Sequence, residues 1–304
     1  MCTAVWDKHS GLLGRTLDLE YTYAEQVAVA PGRLFGGWYG MVGTATVAEG
    51  YPLYYDGVNE KGLAMAGLHF PRSCVYPPPR EGAVNVGAYA LIPTLLSRCS
   101  TVEEAMAEMR RIYLCNRAFS ADYPPAPLHW ILADRHRAAV IEATAAGVQV
   151  YDHPTGVLTN EPSLPHQLTH LSHYAHLTPH QPTGTWQSPV SRGGGAMGLP
   201  GDDTSPSRFV RAAFAAAHAP AEAEYPVTAF FNRMAAVEIP RGRVLAADGR
   251  WVETHYTCCM DLTQGVYYYR TAGCHRLRAV RLTPTEQVVC CPLYRDEDVL
   301  WENA

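Results

Sequence analysis

Charge is scarce in this chain. Asp, Glu, Lys and Arg make up 17% of its 304 residues and hydrophobic residues 47%, against about 25% charged in an average domain. So little charge leaves much of the chain free to be buried, which excludes a disordered protein. Basic excess is also missing: 24 Lys and Arg face 29 Asp and Glu, a net charge of −5, and the arginines are scattered rather than striped. Such a surface has no general attraction for phosphate backbones or anionic lipid, so neither nucleic acid nor membrane is an expected partner. No apolar run approaches the roughly 18 residues of a spanning helix, the best stretches being 62–70 and 89–96. The nine cysteines are odd in number and contain no Cys-x-x-Cys pair, which points to reduced thiols in a chain large enough to need no staples. Trp6-Asp7-Lys8-His9 falls where an export signal would need an uncharged apolar core, so the sequence predicts a cytoplasmic location.

Strand and turn signals dominate the first third. Segments 2–6 and 11–19 flank the polar turn Asp7-Lys8-His9-Ser10 and predict a hairpin; segments 51–55 and 63–70 predict another across residues 56–62. Residues 86–98 read as a helix, and a second is opened by Thr101 and Glu104, spaced as a capping box. Short strands are expected at 128–133, 138–143, 148–151 and 156–160. The stretch 166–201, rich in Pro, Gly, Ser and His, reads as a loop, followed by a helix over 208–218 primed by Ser205-Pro206-Ser207. A last hairpin is expected from 252–262 and 266–271. There is no internal repeat, and no linker splits the composition, so the pattern predicts one α+β domain.

The chemistry points to the N-terminus. A cysteine directly after Met1 permits removal of the initiator, leaving Cys2 with a thiol and a free α-amine in one residue. The amine titrates near ~8 and the thiol near ~8.5, so they can act as base and nucleophile without large shifts. Arg15 and Asp18 would assist, the guanidinium favouring thiolate and the carboxylate holding the amine. Three residues apart, however, they project to opposite faces of a flat strand unless it is bulged.

Several separated motifs then occur in one order: Cys2-Thr3, Gly14-Arg15-Thr16-Leu17-Asp18-Leu19-Glu20, Asn59-Glu60-Lys61-Gly62-Leu63, Leu158-Thr159-Asn160, and Gly198-Leu199-Pro200-Gly201-Asp202 with Ser207-Arg208-Phe209. Together, from residue 2 to about residue 281, they resemble the choloylglycine hydrolase family of bile salt hydrolases and penicillin V acylases. The resemblance implies an N-terminal-nucleophile hydrolase built as a four-layer αββα sandwich over residues 2–304, with Met1 removed. It implies Cys2 as nucleophile, Arg15 and Asp18 as its partners, Asn160 as oxyanion donor and Arg208 as a further active-site charge. Leu19, His69 and Arg192 fall in the substrate and oxyanion surroundings. No metal or organic cofactor is implied; a homotetramer is.

At position 69 the family usually carries Asn, or Tyr in penicillin V acylases, so His69 is a departure; its backbone N–H could still serve an oxyanion. Arg192, in Ser191-Arg192-Gly193, resembles variants that favour glycine conjugates. Hydrolysis of bile acid amides leads; hydrolysis of the phenoxyacetyl amide by a penicillin V acylase or related N-acyl amidase, transfer of the acyl group to an amine, and a non-catalytic amphipath binder with Cys2 blocked by Met1 are the alternatives. His166, His170, His173, His176 and His180 have helical spacing, but Pro165, Pro179 and Pro182 interrupt them and no acidic or Cys ligand joins, so no metal site is expected. Cys258-Cys259 and Cys290-Cys291 read as buried, inert thiols, and Tyr267-Tyr268-Tyr269 as strand packing.

Overall fold

The structure is a computed structural model and describes residues 1–181, 193–221 and 224–298. In chain order come β1 (Cys2–Asp7), β2 (Leu12–Leu19), β3 (Gln26–Ala30), β4 (Met41–Ala48), β5 (Tyr51–Tyr54), β6 (Asp56–Asn59), β7 (Ala64–His69), β8 (Val84–Gly87), α1 (Ala88–Arg98) and α2 (Val102–Met109). Then follow β9 (Ile112–Cys115), β10 (Leu128–Ala133), β11 (Ala138–Thr144), β12 (Gly147–Asp152), β13 (Val157–Leu158), α3 (Leu164–Ser172), α4 (Ser205–Ala217) and α5 (Pro226–Met234). The last described strands are β14 (Val244–Leu245), β15 (Trp251–Asp261), β16 (Val266–Thr271), β17 (Arg278–Arg281) and β18 (Val289–Pro292).

Two antiparallel sheets stack face to face. One runs β13-β1-β2-β15-β16-β17, the other β12-β11-β10-β7-β6-β4-β3-β18. Leu13 and Leu17 of the first sheet pack against Val58, Ala66, Leu68, Ile131 and Val140 of the second. The outer face of the first is covered by α4 and α5 through Phe209, Phe230, Phe231 and Met234, and that of the second by α1 through Leu91, Ile92 and Leu95. The expected αββα layering is therefore present. Sheets covered on both sides explain why core strands read as continuous apolar runs: in β11, Ala138 and Val140 belong to the core between the sheets while Ala139 and Ile141 belong to the core under α1 and α2. Each fully buried Leu or Phe in these layers stabilises by about 1.5–3 kcal/mol. No helix among the described residues is long and apolar enough to cross a membrane.

The N-terminal hairpin forms as expected, with Cys2 opposite Leu17 and Thr3 opposite Thr16. Gly14 is required by close approach: a Cβ there would lie 2.1 Å from the Cys258 carbonyl oxygen and 2.6 Å from the Phe230 ring. Thr101 caps α2, its hydroxyl accepting from Glu104 N–H at 3.1 Å, while the Glu104 carboxylate reaches back to Ser100 N–H at 2.7 Å.

Three expectations are corrected and a fourth is extended. Residues 56–59, read as part of a turn, form β6 and pair with β7, whereas β5 pairs with β4. The real turn is tighter, closed by the Asn59 side-chain oxygen accepting from Lys61 and Leu63 N–H, both at 3.0 Å. The stretch read as one loop from 166 contains most of α3, because Pro165 sits in its first turn, where a missing N–H costs no hydrogen bond. All nine cysteines are free, but Cys290 is exposed and Cys291 half-buried, since β18 is an edge strand; Cys258 and Cys259, in central β15, are buried. Tyr267 does more than pack, since its hydroxyl donates to Asp56 at 2.7 Å.

Candidate active site

Cys2 opens β1 and is 3% exposed. Its sulfur meets Arg15, whose Nη2 donates at 2.6 Å, while Nε of Arg15 donates to the Thr16 carbonyl at 2.9 Å. Met1 extends the hairpin by one more pair: its amine donates to the Asp18 carbonyl, and Asp18 N–H donates to the Met1 carbonyl at 2.9 Å. In this form the Cys2 nitrogen is an amide, and it donates to Asn160 Oδ1 at 2.9 Å.

Arg15 and Asp18 do project to opposite faces of β2, and β2 needs no bulge; the register shift lies across from it in β15, between Thr254 and Tyr256. Arg15 points into the layer between the sheets, with Nη1 3.8 Å from Asp56 of β6. Asp18 points toward the helices, accepting from the hydroxyls of Thr254 at 2.7 Å and Thr16 at 3.0 Å. Its carboxylate lies 4.0 Å from Arg208. The two residues thus flank the Cys2 end of the neighbouring strand from either side of the sheet, and of the two it is Arg15 that touches the sulfur.

Arg208 enters from the first turn of α4, where Pro206 starts the helix. Its fork donates to the Cys2 carbonyl at 2.5 Å, the Thr3 hydroxyl at 2.6 Å and Asn160 Oδ1 at 2.8 Å. Nε donates to the Asp203 carbonyl at 3.0 Å. Burial holds this guanidinium's pKa below its ordinary value, and the neighbouring Asp18 and Cys2 partly offset that. Upstream, Asp202 accepts from the Thr204 N–H at 2.9 Å and the Ser207 hydroxyl at 2.7 Å, and these bonds pull its pKa down to about 2. That fixes the start of α4 and hence the place of Arg208.

Asn160 follows β13. Its backbone N–H donates to Ser205 Oγ at 2.9 Å, and Nδ2 donates to the His69 carbonyl at 2.8 Å. An amide nitrogen carries two N–H groups, so a second remains for another acceptor. His129 secures the preceding residue, with Nε2 2.8 Å from the Thr159 carbonyl, Nδ1 3.3 Å from Glu142, and its ring stacked on Phe70 at 4.2 Å. Gln167 Nε2 adds bonds to Thr159 Oγ1 and Glu161 O, each 3.2 Å.

His69 ends β7 with an exposed side chain. Phe70 N–H donates to the Pro127 carbonyl at 2.8 Å. Strand alternation therefore turns the N–H and C=O of His69 to the opposite edge, where Asn160 already holds the carbonyl. Desolvation by its neighbours and repulsion from the N-terminal ammonium keep the His69 imidazole below its ordinary pKa. Leu19 is half-buried at the end of β2, its carbonyl 3.0 Å from His255 Nε2. Arg192 lies outside the described residues.

The structure thus gathers Cys2, Arg15, Asp18, Asn160, Arg208 and His69. Sequence reading missed Asp56, Tyr256, Thr254, Ser205 and the His129–Glu142 pair that support them. A signal existed for His129, a charged-type residue inside an apolar strand run. The histidines of 166–180 fall on and after α3, with the His170 ring 6.1 Å from His173 and 5.3 Å from Tyr174. Among the described residues no group of three or more His, Cys, Asp or Glu could hold a metal ion.

A family model described as linear amide C–N hydrolases, choloylglycine hydrolase family, matches residues 2–290. The chain belongs to the choloylglycine hydrolase family. Within it, a bile salt hydrolase/transferase of Lactiplantibacillus plantarum is 36% identical, covering 96% of this chain and 97% of that one. A crystal structure of a variant conjugated bile acid hydrolase from Clostridium perfringens superposes with a TM-score of 0.90 at 27% identity, covering 100% of both chains. Penicillin V acylase from Agrobacterium tumefaciens shares the fold, with a TM-score of 0.73 at 20% identity over 93% of this chain and 86% of that one. The motif-by-motif resemblance in the sequence therefore reflects family membership along nearly the whole chain.

Proposed function

We propose that this choloylglycine hydrolase cleaves the amide bond of bile acids conjugated to glycine or taurine, with Cys2 Sγ as nucleophile once Met1 is removed. The observation that carries the reading is the buried Arg15 Nη2–Cys2 Sγ contact of 2.6 Å. A guanidinium held there, away from water, favours thiolate over thiol. Relatives named as bile salt or conjugated bile acid hydrolases, at 36% and 32% identity over more than nine-tenths of the chain, supply the substrate class.

The proposed steps are these. With Met1 gone, the Cys2 nitrogen becomes an amine beside Asn160 Oδ1 and takes the thiol proton. Sulfur attacks the amide carbonyl, and the oxyanion is received by the second Nδ2–H of Asn160 and the backbone N–H of His69. The amine then passes its proton to the leaving nitrogen, the C–N bond breaks, and glycine or taurine departs, leaving a thioester. Water attacks the thioester, giving up a proton to the amine, and the returning thiol releases the free bile acid. Arg208 holds the Cys2 carbonyl and Asn160 in register, and Asp18 balances its charge. Leu19 and Arg192 belong to the substrate surroundings on this reading, and the tetramer implied by the family is its oligomeric form.

One observation favours a second outcome at the thioester, since the Lactiplantibacillus relative is named a hydrolase/transferase. An amine in place of water would give a new conjugate. The experiment is turnover of glycocholate, taurocholate and penicillin V by protein whose intact mass shows loss of Met1, with and without added amino acids. Release of glycine or taurine, faster from glycocholate, is expected, and Cys2→Ala abolishes it. Turnover of penicillin V alone, or full activity in Cys2→Ala, would overturn the reading.

A further inference from the structure

We infer that Asp56 is a positioning residue for the Cys2 nucleophile: it stands behind Arg15, on the side away from the sulfur, and decides how much of the guanidinium's charge is spent on the thiolate. This rests on the assignment of Cys2 above.

Asp56 and Arg15 have fully buried side chains in the layer between the two sheets, where a carboxylate is costly unless its lone pairs are filled. They are filled from three strands. Tyr256 of β15 donates its hydroxyl to Oδ2 at 2.6 Å, Tyr267 of β16 donates to Oδ1 at 2.7 Å, and Thr44 N–H of β4 donates to Oδ1 at 3.1 Å. The Thr44 hydroxyl lies 2.6 Å from the Tyr267 hydroxyl and anchors that donor in turn. Donors from β4, β15 and β16 therefore converge on one carboxylate of β6, and no step of amide hydrolysis touches it.

The distance to Arg15 gives the cluster its meaning. An unrestrained buried Asp and Arg close into a bidentate fork at about 2.7–2.9 Å. Here the tyrosines hold the carboxylate back, so Arg15 Nη1 stands 3.8 Å from Oδ2 and makes no hydrogen bond among the described residues. Nη2 is left to the sulfur. The arrangement is a competition between two anions for one cation, settled in favour of Cys2 by tyrosine hydroxyls from the sheet that carries Cys2 and Arg15. Burial pushes the Asp56 pKa up, while Arg15 and its three hydrogen-bond donors pull it down.

Besides Arg15, the titratable groups facing Asp56 are Tyr256, Tyr267 and Cys258, and Tyr55 faces Arg15 from the β5–β6 junction. Each is neutral at working pH. On the other side of Arg15, Cys2 is faced by Arg208 and, beyond it, Asp18. Removing the charge of Asp56 leaves these in place and lets the whole of the arginine's positive charge act on the thiol and the adjacent amine. Both then lose protons more readily.

The test is Asp56→Asn in protein lacking Met1. The amide keeps the size of the side chain; Oδ1 can go on accepting from Thr44 N–H and Tyr267, and Nδ2, in the place of Oδ2, can donate to the Tyr256 hydroxyl. The pH midpoint of Cys2 alkylation by iodoacetamide, read on the Cys2 peptide by mass, is expected to move down by about half to one unit. The acid limb of kcat/KM for glycocholate moves with it. A purely structural role would lower the rate at every pH and leave the midpoint in place. Should Asp56→Asn fail to fold, Tyr267→Phe keeps the charge and frees Oδ1 to turn toward Arg15, which is expected to move the midpoint up. An unchanged midpoint in a folded variant, with alkylation of Cys2 still abolishing turnover, overturns the role of Asp56 alone. Alkylation of Cys2 that leaves turnover intact overturns the nucleophile assignment beneath it.

Discussion

Arg208 Nη2 donates to Asn160 Oδ1 at 2.8 Å, and the same oxygen accepts the Cys2 N–H at 2.9 Å. With its oxygen held by two donors, the Asn160 amide cannot flip, so Nδ2 is committed to the side of His69. A helix that starts at residue 205 thereby orients a side chain at residue 160 over the first residues of the chain.

On the proposed mechanism, Asn160→Ala removes a donor that acts on charge developing only in reaction. The expected loss is about 10²–10³-fold in kcat with KM little changed. Asn160→Asp keeps the oxygen but not the N–H groups and should lose as much. Steady-state kinetics on glycocholate checks both, and a change confined to KM would reject the oxyanion role.

Arg208→Met removes the cation 4.0 Å from Asp18 and takes a donor from each of four acceptors, Cys2 O, Thr3 Oγ1, Asn160 Oδ1 and Asp203 O. Since both side chains of that pair are fully buried, the expected cost is about 3–5 kcal/mol in urea unfolding. Arg208→Lys should recover only part of it, because a point charge cannot reproduce the fork. Wild-type stability in either variant would contradict the clamp.

His153 is buried, with Nε2 2.6 Å from the Val157 carbonyl, and burial holds its pKa below the free value; His69 and His255 are shifted the same way, again chiefly by desolvation. An unfolded chain thus binds more protons than the folded one below about pH 6.5. Their contribution to stability is complete above that pH and is lost as the pH falls through it. Asp56, raised by burial, works in the opposite direction at lower pH. Urea midpoints from pH 8 to pH 5 should fall, and the fall should be shallower in His153→Asn.

Gly14→Ala places a methyl group 2.1 Å from the Cys258 carbonyl oxygen, a backbone atom that cannot step aside. The expected destabilisation is about 3 kcal/mol or more, near the upper end for overpacking, measured by thermal unfolding. Because Gly14 precedes Arg15, alkylation of Cys2 should slow as well.

Much of this was legible in order along the chain. Cys2 after Met1, the Gly14–Glu20 and Leu158–Asn160 segments and Ser207-Arg208-Phe209 carry family membership, and the hairpins at the two ends of the first sheet follow from turn residues and apolar runs. These are local matters, written in neighbouring residues. The opposed projection of Arg15 and Asp18 also follows from strand geometry; how both come to lie beside one cysteine does not. That depends on β1 lying beside β2, on α4 crossing the sheet edge, and on a second sheet whose strand packed against β1, β7, begins 62 residues after Cys2. Asp56 shows the difference most clearly. Asp-Gly in sequence reads as a turn, because nothing nearby could satisfy a buried carboxylate. The donors that make it a strand residue, Tyr256 and Tyr267, are 200 and 211 residues distant, and only the stacking of the two sheets brings their hydroxyls to it.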